Sequence, residues 1–196
     1  NKGLVGYWDM EQMGGQNASD KSGNSNNGTL GASASVGSDD PKWAKGVQPF
    51  SGGKAGGGAL QFDGVNDYVR MGTPILSTNS YSIGMWIKGI SGANVMIFEG
   101  NILSDPSLES DGAGNFRFYV GNTAGIVIGL GSSNWRYFVG TFDKSSGLRT
   151  AYLNGILVGT STSVTSNTIS TLFIASRSGC SGFANGIIDD VLTRRA

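Results

Sequence analysis

The sequence predicts an all-β fold, a jelly-roll sandwich of two packed antiparallel sheets. Short runs that alternate apolar and polar residues recur along the chain, separated by clusters of Gly, Ser, Asn and Asp. No apolar period of 3.6 residues persists for the length of a helix. Gly makes up 33 of the 196 residues and charged residues only 14%, against about 25% charge in an ordinary soluble domain. With 38% hydrophobic residues, the length fits a single domain spanning residues 1–196.

The first third of the chain predicts few strands. Residues 12–58 are mainly Gly, Ser, Asn, Ala and Lys, with Leu30, Trp43, Val47 and Phe50 as apolar anchors. This pattern favours long ordered loops with one or two short strands over a disordered linker.

The middle of the chain predicts paired strands. In residues 81–88, Tyr, Ile, Met and Ile share one face, and Ser, Gly, Trp and Lys share the other. Residues 116–120 repeat this alternation after a turn at 111–115, which indicates a hairpin. Further strands are expected at 135–142, 148–153, 156–158, 172–175 and 186–191, with an Asn154-Gly155 turn before 156.

Composition excludes several classes of function. The chain has no His, which removes the usual general base and every His-ligated metal site. Cys180, the one cysteine, is expected to have no functional role. Zero net charge without basic clusters argues against nucleic acid, and no apolar run approaches the roughly 18 residues of a membrane span. A start at Asn1, without Met or a signal-like segment, favours a processed protein or an excised domain.

Five segments together resemble the laminin-G-like, concanavalin A-like jelly-roll family of secreted bacterial and archaeal proteins. They occur in the family's order over nearly the whole chain: residues 3–11 with 20–30, 58–69, 81–88, 135–155 and 185–191. Two departures are visible. The family usually carries His where this chain has Arg136-Tyr137, and its closing strand normally continues into a Tyr-containing stretch, so we expect a short or trimmed last strand here.

Outward-facing aromatic residues are the candidate sugar-binding site. A pyranose ring stacks on an exposed aromatic face whose rim offers polar groups for its hydroxyls. The outward positions hold Trp86, Tyr119, Tyr137 and Tyr152, with Lys88 and Arg117 beside them. If their strands are neighbours in one sheet, these residues form one face. Alternatively, the long loops or a flanking domain cover them, or the ligand binds the loops.

The resemblance also implies a structural calcium ion held by an aspartate of the last strand. Asp189 matches that aspartate, and it shares its face with Ile187 and Val191, where a bare carboxylate is costly. Hydrogen bonds from backbone N–H groups to Asp189 or Asp190, or a pairing with Arg, are the alternative. We leave both interpretations open.

Other acidic residues are predicted mainly to stabilise turns. Asp20, Ser22 and Asn24 have the alternating oxygens of a calcium loop but lack its closing Glu, so an Asx turn is favoured, with Asp20 kept as a candidate calcium ligand. Asp63 and Asp67, on either side of Gly64, are likewise predicted to stabilise a turn, with a role as calcium ligands as the second interpretation.

Catalysis is not expected. Retaining glycosidases on jelly rolls carry an E-x-D-x-x-E strand, and residues 109–111 have only its first half. The next carboxylate position is Gly114, and the surrounding residues indicate a solvated hairpin loop rather than a buried strand.

The sequence therefore predicts a non-catalytic, lectin-like recognition module of an extracellular or surface protein that binds a glycan or a surface protein. A structural or adhesion subunit of a surface appendage, pilin-like or fibre-forming, is the alternative. A glycan-cleaving enzyme is a remote one.

Overall fold

The computed structural model of the chain is built from strands. It describes residues 2–47, 57–71, 80–100, 106–111, 113–121, 124–130, 133–162, 171–178 and 180–195. In these residues the strands are β1 (Leu4–Trp8), β2 (Asn17–Ala18), β3 (Gly28–Leu30), β4 (Lys42–Lys45), β5 (Gly58–Asp63), β6 (Val69–Met71), β7 (Tyr81–Ser91), β8 (Met96–Gly100), β9 (Ser107–Ser110), β10 (Asn115–Tyr119), β11 (Ile126–Leu130), β12 (Arg136–Asp143), β13 (Leu148–Leu153), β14 (Ile156–Thr162), β15 (Leu172–Ile174) and β16 (Asn185–Arg195).

The strands form two antiparallel sheets, which confirms the predicted fold. Sheet A has the order β14-β13-β12-β7-β16-β5-β4, and β1 also pairs with β16. Sheet B has the order β11-β10-β9-β8-β15-β6-β3-β2. Strands far apart in sequence are therefore neighbours, most notably β7 and β16 at the centre of sheet A.

The core lies between the two sheets and follows the predicted alternation. On β7, Ile83, Met85 and Ile87 are buried. Phe138 of sheet A meets Phe118 of sheet B edge to face, with the ring centroids 5.5 Å apart. Burying each such side chain contributes about 1.5–3 kcal/mol.

Arg149 is a charged residue that the alternation did not identify as buried. It lies opposite Phe142 on β12, and its side chain is fully buried. Its guanidinium donates hydrogen bonds to the carbonyls of Val120 and Ala124 and to Ser161 Oγ. Burial lowers its pKa from the ordinary value. Arg149 thereby ties sheet A to the connection that follows β10.

The Asn154-Gly155 turn is confirmed. Both residues have positive φ, 53° and 78°, as a type I′ hairpin turn requires. Asn154 also anchors the turn to β12, because its N–H donates to the Tyr137 carbonyl and its Oδ1 accepts from the Tyr137 N–H, each at 2.8 Å.

Three sequence expectations need correction. The segment 12–58 holds three complete short strands, β2, β3 and β4, where one or two were expected; Phe50 lies outside the described residues. The residues around Glu109 form a largely buried strand, β9, because they pair with β8 on one side and β10 on the other. Ser110 is buried there with its Oγ accepting the Val95 N–H and donating to the Gly92 carbonyl. The last strand, β16, is 11 residues long, because it pairs with β1, β5 and β7.

Candidate functional site

The outer face of sheet A carries a pair of aromatic rings. Trp86 on β7 lies directly opposite Tyr137 on β12. Their ring centroids are 5.1 Å apart and the rings are tilted by 42°. Both side chains are partly exposed. Since β7 and β12 are neighbours, Trp86 and Tyr137 lie together on one sheet, and sugar binding by them stays a prediction.

Two further predicted residues lie on the same face. Tyr152 is one strand beyond Tyr137, on β13, and it is partly exposed. Lys88 follows Trp86 by two positions and so points to the same side of β7. Its ammonium lies 5.8 Å from the ring centroid of Trp135, a cation–π contact.

Trp135 was not among the predicted site residues. Its position is of the same parity as Tyr137, so continuing the alternation by one step before β12 would have identified it. Trp86, Trp135, Tyr137, Tyr152 and Lys88 are hereafter called the aromatic face.

The Tyr137 hydroxyl lies over Gly84. A Cβ atom at Gly84 would be 2.8 Å from that hydroxyl oxygen and 3.5 Å from Leu192 Cγ, so any larger residue would displace the tyrosine. Burial raises the pKa of Tyr137, and the nearby Asp190 carboxylate adds to this effect. The phenol therefore stays protonated and can donate to a sugar hydroxyl.

Tyr119 and Arg117 are not part of this face. Both lie on β10 in sheet B, so the condition for one common face, that the strands are neighbours in one sheet, is not met for these two. Arg117 Nε pairs with Asp111 Oδ2 at 2.9 Å. A Cβ atom at Gly125 would lie only 2.7 Å from the Tyr119 ring, so the chain at Gly125 covers that ring. Alternation reveals which residues point outward, but not which sheet they belong to.

Asp189 is buried and accepts two backbone hydrogen bonds. The Val47 N–H donates to Oδ2 at 2.9 Å and the Asp190 N–H donates to Oδ1 at 2.7 Å. Burial is the main cause that raises its pKa to about 7. The hydrogen-bonding interpretation is thereby confirmed, since both carboxylate oxygens have N–H partners.

Calcium binding at Asp189 stays a prediction. Ca²⁺ takes six to eight oxygen ligands. Within the described ranges, no three His, Cys, Asp or Glu side chains are grouped so that they could hold a metal. Backbone carbonyls and water would have to complete the coordination shell. Residues 48–56, which follow Val47, lie outside the described residues.

Asp20 forms the favoured Asx turn. Its Oδ1 accepts the N–H groups of Tyr7 and Ser22, and its Oδ2 accepts the Asn26 N–H and the Ser22 hydroxyl. Burial acts to raise the pKa of Asp20, but these hydrogen bonds outweigh it and the pKa is lowered. Asp63 and Asp67 also stabilise a turn, since Asp67 accepts the Asp63 N–H and Asp63 accepts the Val65 N–H.

Two carboxylates lie on adjacent strands of sheet B: Glu109, which the sequence analysis considered and set aside, and Glu99, which it did not consider. Glu99 on β8 is buried and accepts the Ser178 N–H. Glu109 on β9 pairs with Arg177 at 3.4 Å. Burial raises the pKa of Glu109; the Arg177 charge opposes this shift, and Glu99 adds to it. Both carboxylates are thus engaged in contacts within the protein.

The fold is a two-sheet antiparallel β-sandwich, and comparison with protein families assigns it to a known superfamily. The chain belongs to the Concanavalin A-like lectin/glucanases superfamily, whose profile matches residues 62–193. No curated protein matches the sequence significantly. In the part of the chain that the structure describes, no helix is long and apolar enough to cross a membrane.

Solved structures with low sequence identity share the fold. Domain 4 of AbnA, a GH43 extracellular arabinanase from Geobacillus stearothermophilus solved with arabinotriose, aligns with a TM-score of 0.74 at 17% identity, covering 99% of this chain and 93% of that one. The receptor-binding domain of botulinum neurotoxin type G aligns with a TM-score of 0.67 at 15% identity, covering 100% of this chain and 49% of that one. At these identities the likeness shows the fold alone.

Proposed function

We propose that this chain is a non-catalytic carbohydrate-binding module that acts outside the cell. The observation that carries the proposal is the pair of Trp86 and Tyr137, which presents two partly exposed rings side by side on one sheet. Aromatic rings of this kind offer an apolar surface for the C–H face of a sugar, and the neighbouring polar groups bind its hydroxyls.

Three further observations support this function. The AbnA domain, which has this fold, was solved in complex with arabinotriose, and AbnA is extracellular. Lys88 and the protonated Tyr137 hydroxyl supply hydrogen-bond donors at the aromatic face. Glu99 and Glu109 are held by the Ser178 N–H and by Arg177, an arrangement that favours a structural role over acid–base catalysis.

The proposal is tested by screening the chain on a glycan array and measuring the positive glycans by calorimetry. Trp86→Ala should weaken binding at least about fivefold, because stacking on one aromatic ring contributes about 1 kcal/mol or more. Tyr119→Phe, in sheet B, is the matched control and should bind as the wild type does. Binding that survives Trp86→Ala unchanged, with the fold intact, would refute this site.

A structural or adhesion subunit is a second candidate, favoured by one observation. The edge strand β14 exposes Ile156, Leu157 and Val158, by 69%, 54% and 38% of their surfaces. Exposed apolar edge strands promote pairing with another chain. Sedimentation of the wild type and of Leu157→Lys tests this function: concentration-dependent association that the lysine abolishes supports it, and a monomeric wild type contradicts it.

A further inference from the structure

A cavity of about 530 Å³ lies at one end of sheet A, and basic side chains line it. Its lining residues are Lys2, Gly3, Ser82, Arg194 and Arg195. They come together because β16 runs between β1 and β7, so that Arg194 lies opposite both Leu4 and Ser82. The pairing of the strands therefore places these basic residues at one end of the sheet. Arg194 lies on the outer face opposite Ser82, whereas Arg195, opposite the buried Tyr81, has the other parity and lines the cavity from the strand end.

The backbone at Gly3 shapes this cavity. Gly3 has φ +81°, and its carbonyl accepts the Arg195 N–H at 2.7 Å. A Cβ atom at Gly3 would lie 2.3 Å from the Arg195 carbonyl oxygen and 3.5 Å from Arg194 Nε. The Arg194 guanidinium thus lies beside the bare glycine backbone, and a larger residue at position 3 would clash there.

The cations of the cavity have no acidic partners among the described residues. Among the described residues the ion pairs are Arg117 with Asp111 and Arg177 with Glu109, and both pairs lie in other parts of the fold. The cavity therefore concentrates positive charge in a chain whose net charge is zero. Converging Lys and Arg side chains bind carboxylate, sulfate or phosphate oxygens by charge-assisted hydrogen bonds.

The cavity lies on the same side of sheet A as the aromatic face. Ser82, Gly84 and Trp86 alternate with the buried residues of β7 and so point outward together. At about 3.3 Å per residue, Ser82 and Trp86 are roughly 13 Å apart along the strand. The Tyr137 hydroxyl, above Gly84, lies between them. An oligosaccharide of a few units covers this distance.

Two acidic residues near the middle of this face, Asp189 opposite Trp86 and its neighbour Asp190, set the position of the anionic group. Asp190 accepts the Tyr7 hydroxyl at 2.8 Å and lies near enough to Tyr137 to influence it electrostatically. A carboxylate suits the hydroxyls of a neutral sugar and repels an anion. The negative group of a ligand therefore belongs at the Arg194 end.

We propose that the aromatic face binds acidic oligosaccharides, with one sugar ring on Trp86 and Tyr137 and a carboxylate or sulfate group in the cavity lined by Lys2, Arg194 and Arg195. This inference rests on the proposed carbohydrate-binding function and specifies its ligand class. The cavity gives specificity for charge, and the aromatic rings give affinity for the sugar ring.

The test uses the full chain on an array of uronate-containing, sialylated, sulfated and neutral glycans. Lys2→Gln/Arg194→Gln removes two charges from exposed side chains of the cavity, and Lys45→Gln/Arg70→Gln removes two exposed charges elsewhere as a matched control. We expect acidic glycans to bind best and the cavity variant to lose about tenfold or more of that affinity. The control variant should lose less than about twofold, since distant exposed charges are screened at physiological salt.

Salt and a second anionic polymer complete the design. Raising NaCl from about 50 to 500 mM should weaken acidic-glycan binding by the wild type far more than by the cavity variant. Single-stranded oligothymidylate serves as the non-sugar anion. Oligothymidylate binding as tight as glycan binding would overturn the proposal.

Failure of the inference is distinguishable from failure of the proposed function. Preferential binding of neutral glycans, or equal acidic-glycan binding by the cavity variant and the wild type, overturns the inference and leaves the carbohydrate-binding function standing. Binding of no glycan at all removes both.

Discussion

Gly140 is the position at which one added methyl group tests the packing of the two sheets. It lies in the middle of β12, opposite Ile83 on β7 and Ala151 on β13. A Cβ atom there would point at the fully buried Phe118 ring of sheet B, with ring carbons at 2.6, 2.7 and 3.0 Å. Gly140→Ala therefore forces the sheets or the ring to move.

The size of the effect follows from these distances. Ordinary van der Waals contact begins at 3.4 Å, so the ring must withdraw by about 0.8 Å. It cannot do so freely, because its other contacts include Phe138 at 5.5 Å between centroids. Overpacking a well-packed core costs about 1–3 kcal/mol. A loss of about 2 kcal/mol lowers the Tm of a domain of this size by about 4–8 °C.

The assay is urea unfolding of four proteins: wild type, Gly140→Ala, Phe118→Leu and the double variant. Phe118→Leu alone should be destabilising, because it removes part of a buried ring. In the double variant the smaller leucine makes room for the methyl group, so its loss should be less than the sum of the single losses. Gly14→Ala is the control, since its Cβ would meet only a carbonyl oxygen at 3.9 Å.

Two results would refute this reasoning. Unfolding of Gly140→Ala at the same urea concentration as the wild type would mean that the sheets are not in contact at this point. Strict additivity in the double variant would mean that the cost arises somewhere other than the Phe118 ring.

Three further predictions concern a turn and two carboxylates. Asn154→Ala should lower the free energy of unfolding, measured in urea, by about 2 kcal/mol. About half of this loss comes from placing alanine in the left-handed backbone conformation, and about half from losing the hydrogen bond with the Tyr137 N–H. Asn154→Gly should lose only the hydrogen-bond part. Burial is the main cause that raises the pKa of Asp67 to about 6, so the folded state favours its protonated form. The contribution of Asp67 to stability therefore falls by about 2 kcal/mol as the pH rises from about 4 to 6. Asp67→Asn should remove that part of the pH dependence, and an unchanged profile would contradict it. If Asp189 binds calcium, millimolar Ca²⁺ should raise the Tm more at pH 8 than at pH 5.5, because the carboxylate must be ionised to bind the ion. The calcium prediction is refuted if neither EDTA nor Asp189→Asn changes the rise in Tm that calcium produces.

The sequence predicted several strands from residue 81 onward because local patterns determine them, but it did not predict β8 or β11 and interpreted β9 as a loop. Residues 81–88 alternate between the core and the outer face as expected, and Asn154-Gly155 forms the expected turn. The first third was less predictable. Its short strands are held by contacts across long sequence distances, such as the bond from the Trp43 indole N–H to the Gly15 carbonyl at 3.1 Å, and composition does not encode these contacts.

The candidate site shows the same division between local and long-range information. Trp86 and Tyr137 were found because outward parity is a local property, yet Tyr119 has the same parity and lies on the other sheet.

The basic cavity lies beyond any local pattern. The residues of the cavity are scattered along the chain, at positions 2, 82 and 194. Since its basic residues Lys2 and Arg194 lie at opposite ends of the sequence, no long run of basic residues marks the cavity. They converge only because β1 and β7 both pair with β16 in one particular register. A shift of one residue in either register would turn the side chains of that strand to the opposite face and break up the cluster. The charge specificity proposed for this face therefore depends on strand register, and a substitution that alters the register of β1 should abolish acidic-glycan preference while leaving Trp86 and Tyr137 in place.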